Sequence, residues 1–316
     1  MTMNARYLLA VLLGTLCLWV NAGARADEHT VECSIKVAGA ERTYRLHVPP
    51  RYSREKAAPL VFAFHGGGQN ARVAERFTHL SELSDREGFL VVYPDALFKN
   101  WNDGRNDPML RSQREKVDDL GFIGALLDEI SDQFNIDPKR IFATGPSNGG
   151  IFSNLVGARM SDRFAAIAPV IGGMAPSVAG SFDPKSPISV LMINGTEDPL
   201  VPFEGGKVTF MGRGRGNIIP TADTVKNWVR HNGCQPAPQC FDLPDKDAGD
   251  ETRTKVAVYS GGRKGTEVVV YTIEGGGHAW PGGRQYLPES MVGRVCKDFN
   301  ATDVIWEFFS RHPRGG

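Results

Sequence analysis

The sequence predicts an α/β protein with a mostly parallel central sheet and helices on both faces. Three observations carry that prediction. "PLVFAFHGGG" (59–68) and "GFLVVYPDA" (88–96) are continuous apolar runs closed by turn residues, as strands buried on both faces require. Between them, 71–87 is a polar stretch with Val73, Phe77, Leu80 and Leu83 at helical spacing. The same alternation then recurs along the chain, and a βαβα succession packs as a parallel sheet between helical layers.

Taken in order, "CSIKV" and "TYRLHVP" alternate apolar and polar residues and read as a half-buried antiparallel pair. From 117 to 134, Leu120, Ile123, Leu127, Ile130 and Phe134 line one helix face, with Asp118 or Asp119 placed to cap or pin it. A strand at 140–144 and a helix at 148–159 follow. Strands at 164–171 and 187–194, a helix at 221–231, a strand at 266–273 and a helix at 301–310 complete the reading. Residues 1–26 stand apart: Arg6, an apolar run from Tyr7 to Val20 and the ending Ala24-Arg25-Ala26 form a secretory signal peptide cut after Ala26. The expected product is a secreted protein, extracellular or periplasmic, with no membrane association after cleavage. Residues 27–316 are expected to form a single catalytic domain with no appended substrate-binding module; the oligomeric state is left open.

The chain is formally neutral, and loss of Arg6 and Arg25 leaves 34 basic residues against 36 acidic ones. That balance offers no attraction for nucleic acid or anionic membrane. The clusters "GRGRG" (212–216) and "DLPDKDAGDE" (242–251) read as solvated loops. Four cysteines survive cleavage: Cys33, Cys234, Cys240 and Cys296. An even count in an exported chain suggests two disulfides, Cys234 with Cys240 and Cys33 with Cys296 being one of three pairings. No C-x-x-C, H-E-x-x-H or EF-hand loop occurs, so neither metal nor cofactor is expected.

Chemistry enters at Gly145-Pro146-Ser147-Asn148-Gly149, a G-x-S-x-G turn between a strand and a helix. Such a turn thrusts the serine hydroxyl above the sheet, and its glycines leave room where side chains would strike backbone. The hydroxyl needs a base. Among His231, His278 and His312, which follow Ser147, His278 sits on the glycine-rich loop "GGGHAWPGG" off a strand end, where catalytic groups of open sheets gather. An acid must fix the imidazole's tautomer. Asp198, beyond the strand "ISVLMING", has the right order and position, with Glu197 its nearest rival and Asp183 and Asp223 weaker ones. The oxyanion needs backbone donors. Gly67 in "FHGGG", with Gly66 as runner-up, and Asn148 can supply them.

"FHGGGQN", "WNDGR", "DDLGFI", "GPSNGG", "NGTEDPLVPFEGG", "HNGC" and "GGGHAWPGG" together resemble secreted esterases of the polyhydroxybutyrate depolymerase and feruloyl/acetylxylan esterase group, from about Thr43 to Phe309. The resemblance implies an α/β-hydrolase fold and metal-free ester hydrolysis through an acyl-enzyme. It implies Ser147 as nucleophile, Asp198 as orienting acid, His278 as base, and Gly67 with Asn148 as oxyanion donors. The expected substrate is an ester: a hydroxyalkanoate oligomer or polymer, or alternatively a feruloyl or acetylxylan ester. Trp101 and Trp280 are expected to line the acyl pocket, where flat aromatic faces suit a cinnamoyl ring or polymer segment. A peptidase using the same three residues, and a silent binding protein on the same fold, are the competing readings.

Overall fold

Residues 29–315 are described by the computed structural model, and the leader expected at 1–26 lies outside them. The chain begins with the predicted antiparallel pair, β1 (Thr30–Val37) and β2 (Ala40–His47). Next come β3 (Ala58–Ala63), α1 (Ala71–Thr78), α2 (Leu80–Glu87), β4 (Leu90–Pro94), α3 (Arg111–Arg114), α4 (Asp119–Gln133), β5 (Ile136–Pro146) and α5 (Asn148–Met160). The second half holds β6 (Ala166–Val170), α6 (Pro176–Gly180), β7 (Ser189–Gly195), β8 (Gly206–Phe210), β9 (Arg213–Ile218) and α7 (Thr221–Asn232). It closes with β10 (Gln239–Asp242), β11 (Arg253–Tyr259), β12 (Val268–Glu274), α8 (Glu289–Val292) and α9 (Ala301–Arg311).

Ten strands form one sheet in the order β1-β2-β4-β3-β5-β6-β7-β12-β11-β10. The central six, β4 to β12, pair in parallel, and antiparallel strands extend both edges. Residues of β3, β4, β6 and β7 are buried throughout, which is why each reads as a predominantly apolar run. The two-residue strand period divides them between two cores. Leu60, Phe62, Val190 and Met192 point to one face, where Phe122, Ile123 and Ile130 of α4, Phe152 of α5 and Trp228 of α7 cover them. Val61, Ala63, Leu191 and Ile193 point to the other, under Ala74 of α1, Leu83 of α2, and Ile305 and Phe309 of α9. Each such large side chain contributes roughly 1.5–3 kcal/mol by leaving water.

The expected helix at 71–87 is two helices. His79 adopts the left-handed conformation (φ 53°), and its N–H closes α1 on Glu75 O. Asp118 caps α4 by accepting from Gly121 N–H, while the Asp119 carboxylate is buried against Arg42 at 2.7 Å. The hairpin β8–β9 stands outside the main sheet.

The cysteine expectation is corrected: no disulfide joins Cys33, Cys234, Cys240 and Cys296. Cys33 lies on β1 at one sheet edge, while Cys296 packs against Thr254 of β11, next to the opposite edge strand. The breadth of the sheet separates that pair. Cys234 is buried with its thiol near Thr266 O, whereas Cys240 is exposed on β10. No helix among the described residues is long and apolar enough to cross a membrane.

Candidate active site

Strand β5 ends at Pro146 and helix α5 begins at Asn148, leaving Ser147 alone at the corner with φ 57° and ψ −121°. A non-glycine residue held there costs about 1–3 kcal/mol, so its surroundings must enforce it. They do so by contact. A Cβ on Gly145 or on Gly149 would stand 2.3 Å from the carbonyl oxygen of Phe64, so the corner can nest against the end of β3 only without those side chains. Ser147 N–H donates to Val170 O at the end of β6 (3.0 Å), and Ser147 O accepts from Ile151 N–H (2.8 Å), fixing the turn from both sides.

The predicted base and acid meet. His278, carried on the loop after β12, donates from Nδ1 to Asp198 Oδ2 at 2.7 Å, with both side chains buried. Asp198 Oδ1 accepts the backbone N–H groups of Leu200 and Val201, each at 2.8 Å. One carboxylate oxygen is thus held by backbone and the other left for the imidazole. His278 is anchored through its main chain as well: its N–H donates to Val292 O, and its carbonyl accepts from Tyr286 Oη at 3.1 Å. Burial, reinforced by the Asp198 charge, pushes the Tyr286 phenol above its ordinary range, so it stays a donor. Glu197 points outward and pairs with Arg294 at 3.3 Å, while Asp183 and Asp223 are exposed. Of the other two histidines, His231 contacts Ser186 O and His312 contacts Phe308 O and Glu267.

Ser147 and His278 line one cavity of about 440 Å³, together with Gly66, Gly67 and Asn148. No hydrogen bond joins the Ser147 hydroxyl to the imidazole. The candidate oxyanion donors separate clearly. Gly66 N–H is taken by Gln69 Oε1 (3.1 Å) and Gly68 N–H by Lys99 O (2.8 Å). Among the described residues, Gly67 N–H and Asn148 N–H have no protein acceptor.

The segment Trp101–Arg105 holds this corner from outside. Asn148 Oδ1 accepts from Trp101 N–H (2.8 Å), and Asn148 Nδ2 donates to Asp103 Oδ2 (2.5 Å). Asp103, fully buried, also accepts from Arg105 and from Gln113 Nε2. His65 secures the glycine loop: Nδ1–H donates to Gly66 O (2.7 Å) and Nε2 accepts from Ala96 N–H (3.0 Å). That pattern needs a neutral ring, and burial holds the His65 pKa below its ordinary value.

Trp101 and Trp280 do not line the cavity, which corrects their assignment to the acyl pocket. Trp101 is fully buried, stacked on Phe152 at 4.7 Å with Nε1–H on His65 O. Trp280 is 2% exposed and donates to Thr302 Oγ1. The cavity's aromatic wall is instead Phe77, Phe210 and Tyr286. Phe210 comes from the hairpin β8–β9, which periodicity did not reveal. Arg105 and Arg215 are the two arginines among the lining residues. Asp250, Cys296 and Asp298 are grouped closely enough to offer metal ligands, but none of them lines the cavity. Their carboxylates already accept from the N–H groups of Thr252, Lys297 and Lys246.

Comparison with known proteins points to an esterase family. Residues 42–200 match the family described as Esterase PHB depolymerase. The candidate esterase NocK of Nocardia uniformis subsp. tsuyamanensis is 31% identical over 90% of this chain and 83% of its own length. Feruloyl esterase B of Piromyces equi is 29% identical over 73% of this chain, which spans 41% of that longer protein. An acetyl xylan esterase from Aspergillus awamori shares the fold, with a TM-score of 0.53 at 14% identity over 79% of this chain and 94% of that one.

Proposed function

The chain belongs to the PHB depolymerase esterase family and is a carboxylic-ester hydrolase of α/β-hydrolase fold, and from that premise we propose that it works through Ser147, His278 and Asp198. One observation carries the reading: a serine forced into a strained corner opens onto the same cavity as a histidine whose Nδ1–H is held by a buried aspartate.

That bond leaves Nε2 as the free, basic nitrogen. Ser147 Oγ attacks the ester carbonyl carbon while Nε2 takes the hydroxyl proton. The carbonyl oxygen becomes an oxyanion and accepts the N–H groups of Gly67 and Asn148, each worth about 3 kcal/mol in the transition state. The imidazolium, stabilised by Asp198, returns its proton to the departing alkoxide, leaving an acyl-serine. Water then attacks the acyl carbon with Nε2 again as base, and the acid and free serine are released. The substrate we assign is a hydroxyalkanoate oligomer or polymer. The names of the feruloyl and acetyl xylan esterases among the relatives support a plant cell-wall ester as the second reading. Residues 27–316 act as one catalytic domain, secreted after loss of the leader 1–26.

Release of p-nitrophenol from short-chain nitrophenyl esters, with a pre-steady-state burst, is expected from the wild type and not from Ser147→Ala. Equal rates from both proteins would refute the assignment. Product release from hydroxybutyrate oligomers, ethyl ferulate and acetylated xylan separates the substrate readings.

A further inference from the structure

The cavity wall carries a charge for which the hydrolytic steps have no use. Among the described residues two arginines line it, Arg105 and Arg215, and no Asp or Glu does. Arg105 is neutralised where it sits. Its Nη2 lies 2.7 Å from Asp103 Oδ2, with both side chains buried. Arg215 differs: it is half-buried, and among the described residues no carboxylate pairs with it and no acceptor engages its guanidinium.

The position of Arg215 is built into the fold. It lies on β9, whose partner β8 supplies Val208, Thr209 and Phe210 to the same cavity. Arg105 Nη1 donates to the Arg215 carbonyl at 2.7 Å, so the side chain that braces Asp103 also holds this strand. Next along the strand, Gly216 has φ +79°, and a Cβ there would come within 2.8 Å of Arg105 Cβ. The hairpin is therefore seated directly on the 103–107 segment that clamps Asn148. The cluster "GRGRG", read as a solvated loop, instead delivers one arginine to the catalytic cavity and leaves Arg213 exposed.

We infer that Arg215 recognises a carboxylate on the substrate, so that the esters preferred here carry a free acid group at a distance from the scissile bond. The inference rests on the catalytic reading above and narrows its substrate class. A guanidinium presents a planar fork of donors that matches a carboxylate two-point fashion, and partial burial weakens the competition from water. The acid end of a short hydroxyalkanoate oligomer has this chemistry. A neutral cinnamoyl or acetyl ester does not.

The carboxylate can sit on the acyl or on the alcohol side, and two substrate pairs distinguish these. On the acyl side, the mono-p-nitrophenyl ester of glutarate is compared with p-nitrophenyl hexanoate. On the alcohol side, 3-butyryloxybutyrate is compared with its methyl ester. The readout is the ratio of kcat/KM for the charged over the neutral ester, in which any unfolded fraction cancels. The wild type is expected to favour the charged ester roughly 10- to 100-fold in one of the pairs, the range of a charge-assisted hydrogen-bonded contact. Arg215→Gln should bring that ratio near unity, Arg215→Lys should restore part of it, and Arg213→Gln should leave it as in the wild type. Added salt should shrink it. Ser147-dependent hydrolysis with no preference in either pair, or a preference that survives Arg215→Gln, overturns this inference alone. Absence of Ser147-dependent hydrolysis of every ester overturns the catalytic reading beneath it.

Discussion

Replacing Gly149 with alanine tests the corner at its tightest point. The added Cβ would stand 2.3 Å from Phe64 O and 2.8 Å from both Phe64 C and His65 O. The first contact is about 1 Å inside the roughly 3.3 Å at which carbon and oxygen normally touch. All three atoms are backbone, so no rotamer change relieves the overlap. Either the start of α5 or the end of β3 must move, and overpacking of this kind costs about 1–3 kcal/mol. Movement at α5 carries Asn148 N–H away from the proposed oxyanion position, and movement at β3 carries Gly67 away. A displacement near 1 Å costs on the order of 10²-fold in rate, and complete loss of a donor about 10²- to 10³-fold. Gly149→Ala is therefore expected to lose about 100- to 1,000-fold in kcat/KM on p-nitrophenyl butyrate, with a lowered urea midpoint. Gly180, in α6, has open space where a Cβ would go, so Gly180→Ala should match the wild type in both measurements. A Gly149→Ala enzyme within threefold of wild-type activity and with unchanged stability would show that the contact reasoning is wrong.

Two further perturbations follow from named hydrogen bonds. Asp198→Asn can keep the contacts of Oδ1 with Leu200 and Val201, but it turns an amide N–H toward His278 and selects the wrong tautomer. A fall of about 10³- to 10⁴-fold in kcat with little change in KM is expected in steady-state kinetics. A loss below tenfold would contradict the role given to Asp198. For His65, burial lowers the folded-state pKa below the ordinary 6.5, so the unfolded chain binds a proton that the folded chain refuses. The stability due to the neutral ring is complete above pH 6.5 and is lost as pH falls through that value toward the folded pKa, at no more than about 1.4 kcal/mol per pH unit. Urea midpoints measured from pH 8 to 5 should decline less steeply in His65→Gln than in the wild type. Identical slopes would remove His65 from the explanation.

The parallel strands were legible because burial on both faces leaves few polar positions to interrupt them, as "PLVFA" and "VLMI" show. The candidate site was legible because the chemistry proposed for it restricts residue type and chain order: a serine among glycines, then an acid and a histidine, each just beyond a strand. What escaped the sequence depends on contacts between distant segments. β8 and β9 are mainly exposed or half-buried and rich in glycine and charge, and they become strands only by pairing with each other. Consequently nothing local marked Arg215 as a cavity residue. The apolar spacing of Val73, Phe77, Leu80 and Leu83 runs straight through His79, so the break between α1 and α2 left no trace in the pattern. Trp280 lies two residues from His278 yet turns into the core beside Thr302. The cysteine count suggested pairs without knowing that Cys33 on β1 and Cys296 beside β11 would lie toward opposite edges of the sheet.

The proposed mechanism makes Ser147 the one hydroxyl activated toward electrophiles, and covalent labelling reads that property without a choice of substrate. After treatment with a fluorophosphonate, peptide mapping by mass spectrometry should place a single adduct on the peptide containing Ser147, and His278→Ala should label far more slowly. An adduct on a different residue, or none on the folded wild-type protein, would contradict the account.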